Sequence, residues 1–393
     1  MTTVKDDVDR GLAFSQEEEA YRLRIREFIA KITPDDWYSM FSTPQGFEQS
    51  NVMTKLLADE GYLIQHWPAE YGGSDGSIWM QAVAQEELWA HGEPRGAQYM
   101  NVNWIGPALM HFGTDEQKQR YLPQIMRGEV TWGQLFSEPD AGSDLAALQT
   151  TAIEQPDGTF LVNGQKIWTS YGHLATIGFL LARTTAGSKR GEGMSVFVID
   201  MNSPGIERRE IVTSLGNNRI AEEFFTDVVI PADALLGEKG KGWSVAMTAL
   251  GFERSGSARY ARSTRVLGGI EREPDAADPV VQAELAELLA EGRAAELMNY
   301  RVVALKEEGK TPTWEASAAR IFNSLYEQRV AELGERVMGS DVRLKVGEAT
   351  SRGRGETASL TTSQASSATI TAGTYEIQLG IIAQRRLGLE RAR

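Results

Sequence analysis

The spacing of apolar residues along the first 130 positions is that of amphipathic helices. In the first such pattern, apolar side chains recur every three or four positions, at Tyr21, Ile25, Phe28, Ile29 and Ile32. Residues 15–18, Ser-Gln-Glu-Glu, have the form of a capping box and predict where this helix begins. Further helical patterns cover 81–90 and 115–127, whereas 67–73 is rich in helix breakers and predicts a loop. The first part of the chain is therefore predicted to be mainly α-helical.

From residue 131 the pattern changes to short runs rich in β-branched and aromatic residues, separated by turn residues. The runs that predict strands are 131–138, 160–169, 177–184, 194–201 and 223–230. Between two of them, Pro156-Asp157-Gly158 predicts a tight turn, because glycine accepts the positive φ that a hairpin requires. An antiparallel sheet or barrel is the expected product.

Beyond Gly242 the helical spacing returns, with apolar residues suited to a helical bundle. Residues 340–374 are rich in Gly, Ser, Thr and charge and predict a long or partly disordered loop, before a last helix over 377–389. The sequence thus predicts an α+β fold: an N-terminal helical domain (1–130), a central antiparallel β domain (131–240) and a C-terminal helical bundle (241–393). The bundle is expected to mediate oligomerisation.

Composition narrows the possible functions. The chain has 393 residues and a net charge of −14, which opposes the phosphate neutralisation that drives nucleic-acid binding. It contains no cysteine, which excludes disulfides, thiolate nucleophiles and thiolate metal sites, and its four histidines are scattered. We expect no metal. The acidic N-terminus and the short apolar runs predict a cytoplasmic protein without a membrane span.

Two segments of the β block carry candidate chemistry. Ser137-Glu138-Pro139-Asp140-Ala141-Gly142-Ser143-Asp144 follows a predicted strand, and its small residues and backbone donors suit close approach to a pyrophosphate. Asn163-Gly164-Gln165-Lys166-Ile167-Trp168-Thr169-Ser170 places an aromatic ring and two hydroxyls at a strand end, which suits binding of a planar ring. Read singly, each segment is also compatible with an ordinary strand end.

In their order and separation, these two segments resemble the paired flavin-binding motifs of acyl-CoA dehydrogenases. The resemblance extends over nearly the whole chain and includes Trp67 to Gly73, Phe112-Gly113-Thr114, Tyr121-Leu122-Pro123, Val229-Ile230-Pro231, Gly242-Trp243 and Gly373-Thr374-Tyr375-Glu376-Ile377-Gln378. It implies bound FAD between the β domain and the bundle. By this resemblance Ser137 binds the pyrimidine edge, Ser143 the diphosphate, Trp168 the ring system and Ser170 reaches N5. Further cofactor contacts are implied for Phe136, Gly142, Thr169 and Thr374.

The base that removes the α proton of the acyl thioester is expected to be Glu253. The commonest family arrangement places a glutamate immediately before the C-terminal Gly-Thr pair, where this chain has Ala372. Phe252-Glu253-Arg254 instead resembles the branched-chain and long-chain members, whose glutamate lies on the helix after the β domain and precedes an arginine. A carboxylate in a dry pocket gains basicity by desolvation. Arg254 is expected to bind substrate, and Glu376 is assigned no chemistry.

Two departures from the family concern groups that one subunit donates to its neighbour's flavin. Residues 265–278 lack the usual arginine and Phe-Gly pair, and 335–339 replaces the usual glutamine and glycines. Both point to a heterotetramer with a paralogous chain, as in members that handle steroid-derived acyl-CoA. Alternatively, an arginine elsewhere in the chain supplies the missing phosphate contacts within a homotetramer. The candidates are Arg272, Arg336 and Arg352.

The resemblance therefore implies an FAD-dependent acyl-CoA dehydrogenase that converts an acyl-CoA to its enoyl-CoA, with hydride transfer to flavin N5. An electron-transfer flavoprotein or a similar acceptor is the expected redox partner. Two alternatives stay open: an acyl-CoA oxidase or flavin monooxygenase on the same fold, and a non-catalytic subunit that completes a partner's site.

Overall fold

The computed structural model describes residues 14–34, 37, 44–188, 190–213, 220–254, 258–339 and 364–390. The chain divides into two compact units. A helical unit comprises 1–49, 65–94 and 254–393, and a sheet unit comprises 50–64 and 95–253. The predicted domain boundaries at residues 130 and 240 stay a prediction.

The helices are α1 (Gln16–Ile32), α2 (Pro44–Asp59), α3 (Ile78–Ala90), α4 (Gln98–Met100), α5 (Gly106–Phe112), α6 (Asp115–Met126), α7 (Gly242–Arg254), α8 (Arg259–Ile270), α9 (Pro279–Glu307), α10 (Trp314–Met338) and α11 (Tyr375–Arg385). A π-helical turn, Asn101–Ile105, joins α4 to α5. The strands are β1 (Trp132–Leu135), β2 (Thr151–Glu154), β3 (Phe160–Ser170), β4 (Ile177–Arg183), β5 (Met194–Asp200), β6 (Ile206–Ile211), β7 (Ile220–Ile230) and β8 (Leu235–Leu236). The predicted α, β, α order is confirmed.

Helix α1 begins at the predicted capping box. The Ser15 hydroxyl accepts a hydrogen bond from the Glu18 amide at 3.2 Å, and the Glu18 carboxylate accepts one from the Ser15 amide at 2.8 Å. These bonds satisfy amides that lack partners in the first turn of any helix. Tyr21, Ile25 and Ile29 form the buried face, as their spacing predicts. Among the described residues, no helix is long and apolar enough to cross a bilayer.

The strands form one open, mixed sheet in the order β6-β7-β3-β2-β4-β5-β8, with β1 paired to β4. Most neighbours are antiparallel, as predicted, while β1–β4 and β2–β4 are parallel, and the sheet is open, so of the predicted sheet or barrel it is a sheet. The predicted turn at 156–158 joins β2 to β3, and Gly158 has φ +85°. Strands β2, β6 and β8 were not predicted, because they are short or polar and present no clear alternation.

The helical unit contains a buried cluster of charged residues. Arg22 on α1 donates to the Glu86 carboxylate on α3 at 2.6 Å and to Glu87 at 3.2 Å. Arg26 adds two hydrogen bonds to Glu87, and the Tyr260 hydroxyl on α8 donates to Glu86. Each buried carboxylate therefore has a cationic partner.

Part of the predicted loop 340–374 is helical, which corrects that expectation. Residues 364–368 form a short helical turn. The Arg320 guanidinium on α10 donates to the carbonyls of Ala368 at 2.9 Å and Thr371 at 2.7 Å, so the turn is fixed to α10. A polar sequence can be ordered in this way when a buried arginine satisfies its backbone carbonyls. Residues 340–363 lie outside the described part of the chain.

Candidate active site

Trp168 occupies a bulge near the end of β3. The register between β3 and β7 shifts between Ile167 and Thr169, so Trp168 is an extra residue in its strand. Its φ of +66° lies in the left-handed region, and 58% of the residue is exposed. For a bulky residue that conformation is strained and persists only when the surrounding structure imposes it. The bulge directs a large aromatic ring outward, with exposed Ser170 two residues away.

The first predicted segment forms a tight turn joined to the second. The Ile167 amide donates to the Ser137 carbonyl at 3.0 Å, which places the two segments side by side. Glu138 and Ala141 exchange backbone hydrogen bonds of 3.1 and 3.0 Å across the turn. Gly142 and Ser143 are exposed, and nothing lies within 4 Å of where a Gly142 side chain would begin. The segment offers an open surface of backbone and hydroxyl groups.

A single guanidinium holds the chain that follows this turn. Arg183 at the end of β4 donates to the carbonyls of Ala146 at 3.1 Å and Leu148 at 3.1 Å. It also binds the carbonyl and hydroxyl of Ser188 at 3.1 and 3.0 Å. Arg183 thereby fixes the segment after Ser143 to the sheet.

A buried ion pair lies beneath both segments. Lys166 on β3 has no exposed surface, and its ammonium donates to the Glu138 carboxylate at 2.8 Å and to the Phe136 carbonyl at 2.9 Å. Burial lowers the pKa of Lys166 to about 8, and the charge of Glu138 opposes this effect. Burial raises the pKa of Glu138, but the charge of Lys166 and hydrogen bonds from Lys166, Gln149 and Thr150 outweigh it and hold that pKa below its ordinary value.

A second buried acid, Glu223 on β7, lies behind the bulge. The Thr169 hydroxyl donates to its Oε2 at 2.7 Å. Its Oε1 has no hydrogen-bond partner among the residues that the structure describes. Burial raises the pKa of Glu223 to about 7, although the Thr169 hydrogen bond and the charges of Arg208 and Lys166 act in the opposite direction. Near neutral pH this carboxyl therefore changes protonation state.

The predicted base, Glu253, lies in the last turn of α7 in the sheet unit. It is half-buried, a less shielded position than the dry pocket expected from the sequence. The start of α7 is held close to β5, since a side chain on Gly242 would begin 2.4 Å from the Ser195 backbone. Val245, Ala246 and Ala249 form the buried face of the helix. The side chain of Arg254 lies outside the described part of the chain.

The structure places the other predicted residues as follows. Ala372 has φ +57° and no acid, and Glu376 is exposed in the first turn of α11. Thr374 caps α11, its hydroxyl accepting from the Ile377 amide at 3.3 Å. Of the arginines predicted to bind phosphate, Arg272 is exposed, Arg336 is paired with Glu284, and Arg352 lies outside the described residues.

These residues fit the flavin that the sequence implies. The exposed ring of Trp168, the exposed hydroxyl of Ser170 and the open turn at Gly142 and Ser143 belong to one unit and suit a planar ring with a diphosphate tail. The side chains of Phe136 and Thr169 are buried, so their predicted contacts to the cofactor would have to come from the backbone.

Sequence reasoning did not identify the buried groups Glu138, Lys166 and Glu223 as parts of this site. A signal for one of them was present, because Ala221, Glu223 and Phe225 alternate in phase along β7. That phase predicts that Glu223 faces the core.

Comparison with known proteins identifies the family. Models of the N-terminal, middle and C-terminal domains of acyl-CoA dehydrogenases match residues 15–129, 133–228 and 240–387. The acyl-CoA dehydrogenase IpdE1 of Mycobacterium tuberculosis is 32% identical over 392 residues, covering 96% of this chain and 99% of IpdE1. The acyl-CoA dehydrogenase FadE34 of the same organism is 36% identical over 342 residues, which are 85% of this chain and 46% of FadE34.

Solved structures agree with this identification. The steroid acyl-CoA dehydrogenase Tcur3481-Tcur3483 superposes with a TM-score of 0.89 at 26% identity, covering 97% of this chain and 100% of that one. The ChsE4-ChsE5 complex from M. tuberculosis gives 0.85 at 27% identity, with 97% and 100% coverage. The chain therefore belongs to the acyl-CoA dehydrogenase family, the FAD-dependent oxidoreductases that act on CH–CH bonds of acyl-CoA.

Proposed function

We propose that this chain dehydrogenates a steroid-derived acyl-CoA, with the Glu253 carboxylate as the base. The bond from Cα to hydrogen breaks heterolytically and its proton passes to a Glu253 oxygen. The hydrogen on Cβ leaves with its electron pair, and a carbon–carbon double bond forms between the two atoms. When bound, FAD supplies the hydride acceptor at N5. The name of the similar Tcur3481-Tcur3483 protein, a steroid acyl-CoA dehydrogenase, supports an acyl-CoA of this class.

The bulge at Trp168 is the observation that carries this proposal. A strained backbone and a large exposed aromatic ring both have a cost, and such features concentrate where a ligand uses them. Trp168 is proposed to lie against the flavin ring, and Ser170 to donate to its N5 edge. Ser137 and Ser143 are proposed to bind the pyrimidine edge and the diphosphate.

The choice of Glu253 rests on its position and on the lack of an acid at the family's commoner base position. The family's commoner base position is Ala372, which has no proton acceptor, and Glu376 is exposed in a first helical turn. Glu253 is half-buried at the end of a helix whose apolar face packs in the sheet unit. A bound acyl chain would exclude further water from it, and this desolvation raises the basicity of a carboxylate.

Anaerobic reduction tests the proposed base. Mixing the purified flavoprotein with a steroid-side-chain acyl-CoA should bleach the flavin absorbance, and Glu253→Gln should slow bleaching by at least about 10²-fold. Glu376→Gln is the matched control and should bleach at the wild-type rate. Wild-type bleaching that survives in Glu253→Gln would exclude Glu253 as the base. Fast peroxide release during aerobic turnover would instead indicate an oxidase.

The quaternary partner is proposed to be a paralogous chain in a heterotetramer. Two similar solved structures carry the names of two chains each, Tcur3481-Tcur3483 and ChsE4-ChsE5. Arg336, one of the predicted substitutes for the missing phosphate ligands, is paired with Glu284 within this chain. Expression of the chain alone and together with a paralogous acyl-CoA dehydrogenase chain, followed by measurement of the particle's mass and flavin absorbance, tests this. A homotetramer with full flavin occupancy would contradict it. An electron-transfer flavoprotein is the proposed acceptor.

A further inference from the structure

The carboxyl of Glu223 is placed where it can control the Trp168 bulge. Thr169, which directly follows Trp168, has its hydroxyl 2.7 Å from Glu223 Oε2 and is otherwise enclosed by the core. On the other side, a side chain on Gly172 would begin 2.0 Å from Glu223 Oε1, so the chain after the bulge lies directly on this oxygen. Glu223 thus contacts the Thr169 hydroxyl on one side of Ser170 and lies against the Gly172 backbone on the other.

Two strained residues lie next to these contacts, one before Thr169 and one before Gly172. Trp168 has φ +66° and Tyr171 has φ +58°, and neither is a glycine. Such conformations return to ordinary ones when the packing around them loosens. The core beneath residues 168–172 therefore decides the shape of the segment.

The surroundings of Glu223 suit a neutral carboxyl better than an ionised one. It has no exposed surface, a single hydrogen-bond donor, and one oxygen without a partner in the described chain. The charged groups around it are Lys166 from β3, Arg208 from β6 and Glu222 on its own strand. Lys166 is bonded to Glu138 and to the Phe136 carbonyl, and Arg208 to the Ala175 carbonyl at 2.8 Å. A charge on Glu223 would therefore draw water inward, and the backbone at Gly172 is the contact that must move to admit it.

We propose that Glu223 is a positioning residue: in its protonated form it holds the Trp168–Ser170 bulge in the shape that binds FAD, and its ionisation weakens FAD binding. This inference rests on the proposed placement of the flavin against Trp168. It assigns no chemical step to Glu223, which acts through Thr169 and Gly172. The burial that raises its pKa to about 7 puts the change within the range of ordinary assays.

Titration of the purified full chain with FAD across pH 6 to 9 tests the proposal. In the wild type the dissociation constant should rise above about pH 7, by at most about tenfold per pH unit. Glu223→Gln, which mimics the neutral carboxyl, should bind FAD with the same affinity across this range. Glu207→Gln, a change of the same kind on the exposed edge of β6, should keep the wild-type pH dependence. Thr169→Val, which removes the donor, should weaken binding at every pH.

The possible results distinguish a failure of the Glu223 proposal from a failure of the proposed function. A purely structural role for Glu223 would change FAD affinity by the same factor at every pH, and this outcome overturns the proposal. Equal wild-type affinity at pH 6 and pH 9 overturns it too, whatever the variants do. Both outcomes leave FAD bound, so the proposed function stands. A wild-type chain that binds no FAD at any pH, alone or with its partner chain, refutes the proposed function, and this inference falls with it.

Discussion

Glu86 in the helical unit and Glu223 in the sheet unit are both buried carboxyls, but their surroundings differ. Glu86 accepts hydrogen bonds from the Arg22 guanidinium and the Tyr260 hydroxyl, so it has a countercharge and two donors. Glu223 has the Thr169 hydroxyl alone, and its second oxygen has no partner in the described chain. Burial raises the pKa of both carboxyls; at Glu86 the Arg22 charge and the hydrogen bonds from Tyr260 and Arg22 oppose the shift, whereas at Glu223 the one direct hydrogen bond comes from a neutral hydroxyl. The incompletely satisfied acid is the one beside the proposed flavin site.

The largest expected effect is in the helical unit. Arg22→Met removes the cation that Glu86 and Glu87 share, and a stranded buried carboxylate should lower the free energy of unfolding by about 3–5 kcal/mol. Urea unfolding monitored by far-ultraviolet circular dichroism measures this. Arg26→Met is the matched control, because Arg26 is half exposed and, within the described residues, forms its ion pair with Glu87; the cost of this variant should stay below about 1 kcal/mol. Equal costs for both variants would remove the contrast between Glu86 and Glu223.

The next effect is a gain in the free energy of unfolding, and it concerns Glu223. Folding raises the pKa of this carboxyl from 4.5 to about 7, so the folded chain binds its proton more tightly. Its contribution to stability is complete below pH 4.5, is lost as pH rises towards 7, and is level above that. The Glu223→Gln variant has no carboxyl at this position, so it does not lose this stability as the pH rises. Relative to wild type, it should gain roughly 3 kcal/mol of unfolding free energy between pH 4.5 and pH 8. A stability difference that is constant with pH would contradict this.

The smallest effect tests the contact at Gly172. Gly172→Ala should destabilise the chain by about 2 kcal/mol, because the new methyl group overlaps Glu223 Oε1. In a Glu223→Ala background that overlap is gone, and the cost should fall by about 1 kcal/mol. It should not vanish, since Thr169 and Ala221 side chains would still lie 3.0 Å from the methyl group. Additive costs in the double variant would show that Gly172 and Glu223 do not interact.

Much of the fold follows from local patterns in the sequence. The capping box at Ser15 and the helical spacing after it predicted α1 because they act within one or two turns. The 156–158 turn was predictable since glycine's freedom at positive φ is a property of one residue. The turn at 364–368 was not, because its order comes from Arg320, which lies 48 residues before its bonded partner Ala368. The polar composition of the segment carries no sign of that partner.

The candidate site also contains residues that the sequence could identify and contacts that it could not. Trp168 and Ser170 were selected by family resemblance, and the structure adds that a bulge aims the tryptophan ring outward. The pairing of Lys166 with Glu138 and of Thr169 with Glu223 joins residues 28 and 54 positions apart. Such contacts depend on sheet register, which alternation within one strand does not specify. The roles of Glu253 and the cofactor ligands stay predictions.

The extra residue at Trp168 also constrains how this segment can change in length. Ile167 pairs with Glu222 and Thr169 with Ala221, which are consecutive residues of β7, so deleting Trp168 would restore a regular ladder and leave Thr169 in the interior and Ser170 on the outer face. Such a deletion would remove the strained conformation and the exposed ring without disturbing the core. Descendants of the chain that keep the flavin site are therefore expected to keep this extra position, while those that have lost the site can lose it.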